Sequence, residues 1–305
     1  DLAALPGRAV ADRRPARLTD PRYPHPALGI ALAVAATACF ALLDTTSQYV
    51  GGVVPVMMAV WLRFMVQTGM TAAMLYPSQG KSLFITKAPG WQLLRGALMV
   101  TSGTVAYISL QHVPVGEFTA ILMLVPLVVT LLAALMLRER VSALSWTLVA
   151  GGLVGALIVI RPKGSDFHGA MLMPLLLVLV NAAYQIVTSR MVRTEDPGTM
   201  HFYTGLLGLV CCSLALPWAW APMADWRLWV LAGLMGVFGS IGHYLLIQAY
   251  HHAPASRLTP YMYAQIAFAT LAGWWVFGHT PDAWSMAGIA LIALCGGLGV
   301  RVRRG

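Results

Sequence analysis

Ten apolar runs, each long enough to cross a lipid bilayer, occupy almost all of the chain after residue 26. A spanning helix needs about 20 mostly apolar residues, with a range of about 17–25. The runs cover roughly residues 27–50, 55–76, 91–110, 117–137, 144–160, 170–187, 202–220, 228–249, 258–277 and 284–300. Only 10% of the residues are charged, against about 25% in soluble domains. The sequence therefore predicts an all-α polytopic membrane protein with ten transmembrane helices and excludes a soluble enzyme or a nucleic-acid binder.

The distribution of basic residues predicts the orientation of these helices. If residues 1–26 form a disordered basic cytoplasmic tail, sixteen of the twenty basic residues fall on the inner side, as expected for cytoplasmic loops. They are Arg8, Arg13, Arg14, Arg17, Arg22, Lys81, Lys87, Arg95, Arg138, Arg140, Arg190, Arg193, Arg257, Arg301, Arg303 and Arg304. Both termini are then cytoplasmic, and the net charge of +9 is a topology signal rather than a sign of an anionic partner. The excess of arginine over lysine indicates a bacterial source and hence an inner, or plasma, membrane.

Loop and helix positions recur with an offset of about 140 residues. Pro114 matches Pro254, and Gly96 matches Gly236. Each half of the chain holds five spans, so the second copy enters the membrane with the opposite orientation. We expect a first repeat at 27–160 and a second at 168–300. Inverted repeats are typical of secondary transporters, whose substrate site lies near the midplane between the halves.

The chain resembles the EamA-type branch of the drug/metabolite transporter superfamily over about residues 28–300. The positions that carry the resemblance are 41–44 (ALLD), 63–64 (RF), Pro126, 138–140 (RER), 253–256 (APAS), 260–265 (PYMYAQ) and 277–282 (FGHTPD). The family usually has Glu where this chain has His279. The resemblance implies transport of small metabolites, including amino acids, nucleotide-related compounds and vitamins, across an inner membrane.

Asp44 and Arg63 lie well inside predicted spans, away from their ends, and a charge at the bilayer centre costs about 2.5–3.5 kcal/mol. Asp44 in the first span and Arg63 in the second lie on neighbouring antiparallel helices at similar depth, so they could form a pair. A functional interpretation is a charge pair that lines the substrate cavity or an outer gate. A structural ion pair, or an Arg63 side chain that reaches outward to the interface, is the alternative.

Glutamate and proline residues at four further positions give candidate gates and hinges. Glu117 opens the fourth span, where it could cap the helix or take part in proton coupling. Glu139 at the inner surface is an anchor and local ion partner, or a cytoplasmic gate. Pro126 and Pro260 each remove a backbone hydrogen bond inside a span, so we expect kinks that act as hinges.

The second half carries neutral polar and aromatic groups in its spans. They are Asn181, Tyr184, Gln185, His243, Tyr244, Gln248, Tyr261, Tyr263 and Gln265. Such groups avoid lipid, so they form either interhelical hydrogen bonds or the wall of a cavity. Rings combined with amides suit a ring-containing amphiphile better than a small ion.

These patterns favour a secondary transporter for a small organic metabolite, such as an amino acid or a ring-containing amphiphile. The alternatives are a non-transporting scaffold or receptor, and an intramembrane enzyme supported only by the histidines. We expect no catalytic residue, no metal site and no cofactor, because the four cysteines have no metal-ligand spacing and no nucleotide-binding motif is present. The expected partners are the lipid bilayer, a small-molecule substrate and a proton gradient, with the protein a monomer or weak dimer.

Overall fold

The computed structural model describes residues 23, 25–50, 53–112, 121–139, 141–160, 172–223, 225–278 and 282–301, and this part of the chain is almost entirely helical. The first repeat contains α1 (Pro26–Val50), α2 (Val56–Gln79), α3 (Pro89–His112), α4 (Val125–Met136) and α5 (Ala143–Ile160), with a short 3-10 helix at Gly80–Phe84. The second contains α6 (Leu172–Met191), α7 (Pro197–Ala219), α8 (Trp226–His252), α9 (Ala255–Met262), α10 (Ala264–Phe277) and α11 (Ala283–Arg301). Since α9 and α10 are two halves of one span, the described residues form ten spans.

Length and composition make four of the described helices able to cross a membrane on their own: Pro26–Val50, Leu172–Met191, Pro197–Ala219 and Trp226–His252. Shorter apolar helices occur at Val125–Met136, Ala143–Ile158 and Met286–Cys295. Exposed tryptophans collect at the end of the bundle opposite the start of α1, where α7 ends and α10 ends. Trp218 is 87% exposed and Trp275 is 85% exposed, as expected for an aromatic belt at a membrane–water interface.

Helices of one repeat pack mainly on helices of the other. The strongest pairs are α1 with α8, α3 with α6, α2 with α7, and α5 with α11, and α4 packs on α9. If each span of the first repeat is exchanged with its counterpart in the second, the pair α1–α8 becomes the pair α6–α3. The pairs α2–α7, α5–α11 and α4–α9 map onto themselves. The packing therefore has the approximate two-fold symmetry of inverted repeats, as the sequence predicted.

Small residues allow these pairs to approach closely. A Cβ at Gly155 in α5 would lie 2.9 Å from the carbonyl oxygen of Gly288 in α11, and a Cβ at Gly236 in α8 would lie 2.6 Å from Cβ of Val66 in α2. These distances are shorter than van der Waals contact, so only glycine fits. Glycine at these two positions therefore permits close approach of the helix backbones.

Capping residues extend several helices beyond the apolar runs. Asp196 accepts a hydrogen bond from the Thr199 amide at 3.0 Å, and Pro197 occupies the first turn. Helix α7 therefore begins five residues before its apolar run. At the other end of the membrane region, Asp225 caps α8 through the Arg227 amide at 2.9 Å.

One assignment used for the orientation was wrong. Helix α3 begins at Pro89, and Arg95 in its second turn is fully buried rather than part of an inner loop. The count of basic residues did not recognise that Arg95 has polar partners inside the bundle. Of the other residues in that count, Arg140, Arg303, Arg304 and the five arginines within residues 1–22 lie outside the described part of the chain.

Candidate functional site

Two side-chain contacts between the repeats define the candidate site. Asp44 on α1 accepts a hydrogen bond from Gln265 on α10 at 2.8 Å. Arg63 on α2 lies with Nη2 at 2.9 Å from Nε2 of His243 on α8. Each of the two charges of the first repeat thus contacts a polar group of the second repeat. The Arg63 charge also acts on the Asp44 carboxyl group, and a charge pair between them stays a prediction.

Aromatic rings surround the contact between Arg63 and His243. The ring centroid of Phe40 on α1 is 4.8 Å from that of His243, and the ring of Tyr184 on α6 meets His243 edge-on at 5.8 Å. Gly239 leaves room for the guanidinium, since a Cβ there would lie 3.1 Å from Arg63 Nε. Arg63 and His243 are half-buried, whereas Asp44 is exposed at the seam between α1 and α10. Four helices from both repeats therefore form a polar centre with aromatic walls.

Arg95 lies behind this centre and is completely buried, with 0% exposure. Its Nε donates to Thr188 Oγ1 at 2.8 Å, its Nη1 to Thr204 Oγ1 and the Met200 carbonyl at 2.6 Å each, and its Nη2 to Tyr184 Oη at 2.8 Å. In the part of the chain that the structure describes, none of these partners is acidic. The guanidinium ties α3 to α6 and α7 through neutral groups and fixes the hydroxyl of a ring that faces His243.

A second buried histidine connects α2, α7 and α8. His201 lies with Nε2 at 3.0 Å from Ser240 Oγ and Nδ1 at 3.4 Å from Gln67 Nε2. Its ring is 5.6 Å from that of Tyr244, whose hydroxyl accepts from Gln248 Nε2 at 2.9 Å. Tyr244 and Gln248 thus share a face of α8, as their spacing indicated.

The remaining predicted cavity residues divide between two locations. Asn181 accepts from Ser102 on α3 at 3.1 Å, and Gln185 accepts from the Tyr250 hydroxyl on α8 at 2.7 Å, so both form interhelical hydrogen bonds. Tyr261 is buried on α9. Tyr263 follows α9 and packs against Gly152 of α5 within an apolar cluster, away from Arg63.

Both predicted hinge positions lie beside interruptions of their helices. A turn at residues 123–124 precedes α4, which has Pro126 in its first turn. Pro260 lies in α9, which is separated from α10 at Tyr263. The two broken spans meet where Thr130 Oγ1 lies 2.7 Å from Thr259 Oγ1. Their role as hinges stays a prediction.

The end of the bundle at which α1 begins, here called the proximal rim, is joined by polar contacts between the repeats. Glu139 Oε2 accepts from the Ser256 amide at 3.0 Å, and its Oε1 lies 3.7 Å from Arg193 Nη2. Arg193 also donates to the Tyr23 hydroxyl at 3.0 Å. Glu139 is thus an anchor with an ion partner in the second repeat, and its role as a gate stays a prediction.

Glu195 forms a second clamp at the proximal rim. Its Oε1 accepts from the Lys87 amide at 2.8 Å and its Oε2 from Thr86 Oγ1 at 2.7 Å. A surface pocket of about 250 Å³ lies beside Glu195, and Arg63 is not among the residues that line it. Its walls are Gln79, Ser82, Ile85, Lys87, Thr194, Glu195, Asp196 and Thr199.

Glu117 and His279 lie outside the described residues. Within the described ranges, no group of three or more His, Cys, Asp or Glu side chains could hold a metal ion, and the cysteines there are free thiols. Sequence reasoning missed the roles of Arg95, His201 and Glu195. The signal for Arg95 was its helical spacing with the polar residues of the third span, whereas His201 and Glu195 lie at positions that resembled ordinary helix ends.

The fold and this site define the class: a polytopic helical membrane protein of two inverted repeats with a polar centre between them. The EamA-like transporter family matches residues 27–161 and 168–298, and the chain belongs to that family.

Relatives and a solved structure cover most of the chain. A riboflavin transporter of Vibrio cholerae is 30% identical over 88% of this chain and 92% of its own length. An S-adenosylmethionine uptake transporter of Rickettsia bellii is 28% identical over 70% of this chain and 73% of its own. A pseudopaline exporter of Pseudomonas aeruginosa is 25% identical over 87% and 93%. One crystal structure matches the fold with a TM-score of 0.77 at 17% identity, covering 90% of this chain and 97% of the other.

Proposed function

We propose that this protein is a secondary transporter that moves a ring-containing amphiphile by alternating access, and that riboflavin is the first compound to test. The observation that carries the proposal is the contact at 2.9 Å between Arg63 of the first repeat and His243 of the second. A polar contact across the repeat interface can be broken and remade when the repeats move against each other. A solute bound there would sense both halves of the molecule.

The composition of the site supports a ring-containing solute. Phe40 and Tyr184 place aromatic rings on two sides of His243, and aromatic faces bind planar rings by stacking or edge contacts. Asp44 with Gln265 adds polar groups at the α1–α10 seam. A flavin or an adenosine derivative offers both a planar ring and polar edges, which agrees with the names of the riboflavin and S-adenosylmethionine relatives.

The proposal extends to orientation and drive. The proximal rim carries Lys87, Arg138, Arg190 and Arg193, and basic residues favour the cytoplasmic side. We place the proximal rim and both termini there, in the inner membrane, with the protein a monomer or weak dimer. Asp44 is the candidate proton carrier, since a carboxyl group inside a span can couple protonation to a contact such as that with Gln265.

Uptake into proteoliposomes tests the function. We expect saturable uptake of labelled riboflavin that exceeds that of an amino acid panel, and we expect Arg63→Met to lower it at least tenfold. The matched control is Arg193→Met, which removes a guanidinium of the same kind at the proximal rim. Correctly folded protein that transports neither riboflavin, nor S-adenosylmethionine, nor any amino acid would favour the scaffold interpretation instead.

Proton coupling has its own test. In Asp44→Asn we expect uptake to lose its dependence on an imposed pH gradient, because the amide keeps an acceptor for Gln265 but cannot bind a proton. Unchanged gradient dependence in this variant would exclude Asp44 as the proton carrier and leave the substrate site untouched.

A further inference from the structure

The contact with Arg63 determines the tautomer of His243. A guanidinium has only N–H donors and no acceptor. With Arg63 Nη2 at 2.9 Å, Nε2 of His243 must accept. The imidazole is then neutral, with no proton on Nε2 and its one N–H on Nδ1.

The Nδ1–H group has no hydrogen-bond partner among the described residues, although the nitrogen is buried. A buried donor without an acceptor is unfavourable, and native structures hold few of them. Among the described residues, the groups that contact the imidazole from three helices offer no acceptor to Nδ1. Phe40 from α1 and the Tyr184 ring from α6 contact the imidazole through carbon atoms, and Arg63 from α2 contributes another donor.

The closeness of α1 and α8 explains how the donor is held in place. A Cβ at Gly242 would lie 2.7 Å from the Phe40 ring, so the glycine lets that ring reach the imidazole. Tyr184 is held from the opposite side by its hydroxyl contact with Arg95 at 2.8 Å. The orientation of His243 is therefore set by Arg63, Phe40 and Tyr184 before any solute binds.

We propose that His243 is a specificity-determining residue that donates Nδ1–H to an acceptor on the solute, a carbonyl oxygen or an unprotonated ring nitrogen within a planar ring system. This inference rests on the proposed function, since it assigns a donor in the same site. It goes further in stating which atom of the protein selects which kind of atom in the solute. An aliphatic solute, or a ring without an acceptor at its edge, would leave the buried donor unsatisfied and bind more weakly.

The first arm of the test needs no solute. Nitrogen-15 NMR of imidazole-labelled protein in lipid nanodiscs reports which ring nitrogen carries the proton, and the resonance missing from His243→Asn assigns the signal. We expect a protonated Nδ1 and an unprotonated Nε2. A proton on Nε2 would overturn the inference whatever the protein transports.

The second arm compares two amide substitutions of similar polarity. His243→Asn places an amide N–H near the position of Nδ1, whereas His243→Gln places its amide near Nε2, where the oxygen accepts from Arg63. With riboflavin as the probe, we expect the Asn variant to keep its KM for uptake within about threefold of the original. We expect the Gln variant to raise KM tenfold or more, with both variants melting at similar temperatures.

The outcomes separate the two proposals. Equal changes of KM in the Asn and Gln variants, or a larger change in the Asn variant, would overturn the role of Nδ1. If the unsubstituted protein does not transport riboflavin at all, the proposed substrate fails, and the inference about the tautomer is decided by the NMR spectrum alone.

Discussion

Two arginines of the first repeat lie inside the bundle, and their surroundings differ in a way that separates structure from function. Arg95 is fully buried and donates four hydrogen bonds to neutral groups on α6 and α7. Arg63 is half-buried at the interface between the repeats and contacts His243, whose Nδ1 has no hydrogen-bond partner among the described residues. A guanidinium whose acceptors all belong to neighbouring helices holds those helices together. One that contacts a titratable ring at the interface between the repeats is suited to binding.

Tyr184 links the two arginines. Its hydroxyl accepts from Arg95, whose guanidinium also lies 4.9 Å from the centre of its ring, and the same ring contacts His243 edge-on. The structural arginine therefore supports the wall of the site that the other arginine enters. Substitution of Arg95 should therefore mainly reduce stability, and substitution of Arg63 should mainly reduce transport.

Removal of the Arg95 side chain should have the largest effect. In Arg95→Met the acceptors Thr188, Thr204 and Tyr184 lose their donor inside the bundle, at about 1–3 kcal/mol for a group left unsatisfied. We expect a loss of at least about 2 kcal/mol in the free energy of unfolding, measured by unfolding in mixed micelles. A variant as stable as the parent would remove the distinction between the two arginines.

Removal of the Arg63 side chain should instead impair transport. We expect Arg63→Met to lower kcat/KM for uptake at least tenfold, because Nε2 of His243 loses the donor that fixes its tautomer. The melting temperature in detergent should fall less than in Arg95→Met, because Arg63 is only half-buried. A larger loss of stability for Arg63→Met than for Arg95→Met would reverse the two roles.

The sequence predicted the fold because the lipid environment leaves few choices. Apolar runs of sufficient length must be helices, and five spans in each half require inverted copies. Some of the predicted cavity residues contact one another across the repeats, as Asp44 does with Gln265 and Arg63 with His243, and their role in a substrate cavity stays a prediction.

The individual partners could not be predicted from the sequence. Depth along neighbouring helices suggested a pair of Asp44 with Arg63, but it could not show that Gln265 contacts Asp44 and His243 contacts Arg63. Those contacts depend on the rotation of each helix about its axis, which packing sets. Arg95 was read as a loop residue because three helices must come together before its acceptors are visible. Tyr263 was assigned to the cavity by residue type, although a break between α9 and α10 turns it toward α5.

A change at Tyr184 sharpens the comparison between the arginines. Tyr184→Phe removes the hydroxyl that accepts from Arg95 and keeps the ring that faces His243. We expect a loss of about 1 kcal/mol in stability and a KM for riboflavin within threefold of the original. Tyr184→Leu, which also removes the ring, is the matched variant and should raise KM further. Equal KM values for Phe and Leu would show that the ring does not contribute to the site.

The smallest effect is expected for a third arginine, at the proximal rim. Arg193 is 34% exposed at its side chain and lies 3.7 Å from Glu139, so water screens the pair, and such pairs contribute about 0.2–1 kcal/mol. We expect Arg193→Ala to lower the free energy of unfolding by less than about 1 kcal/mol, with the loss reduced at high salt. Glu139→Ala should cost more, because it also leaves the Ser256 amide without its acceptor. The contrary outcome is an Arg193→Ala variant that loses as much free energy of unfolding as Arg95→Met. That result would mean that the stability an arginine contributes depends on the helices that it connects across the repeats, and not on the burial of its guanidinium.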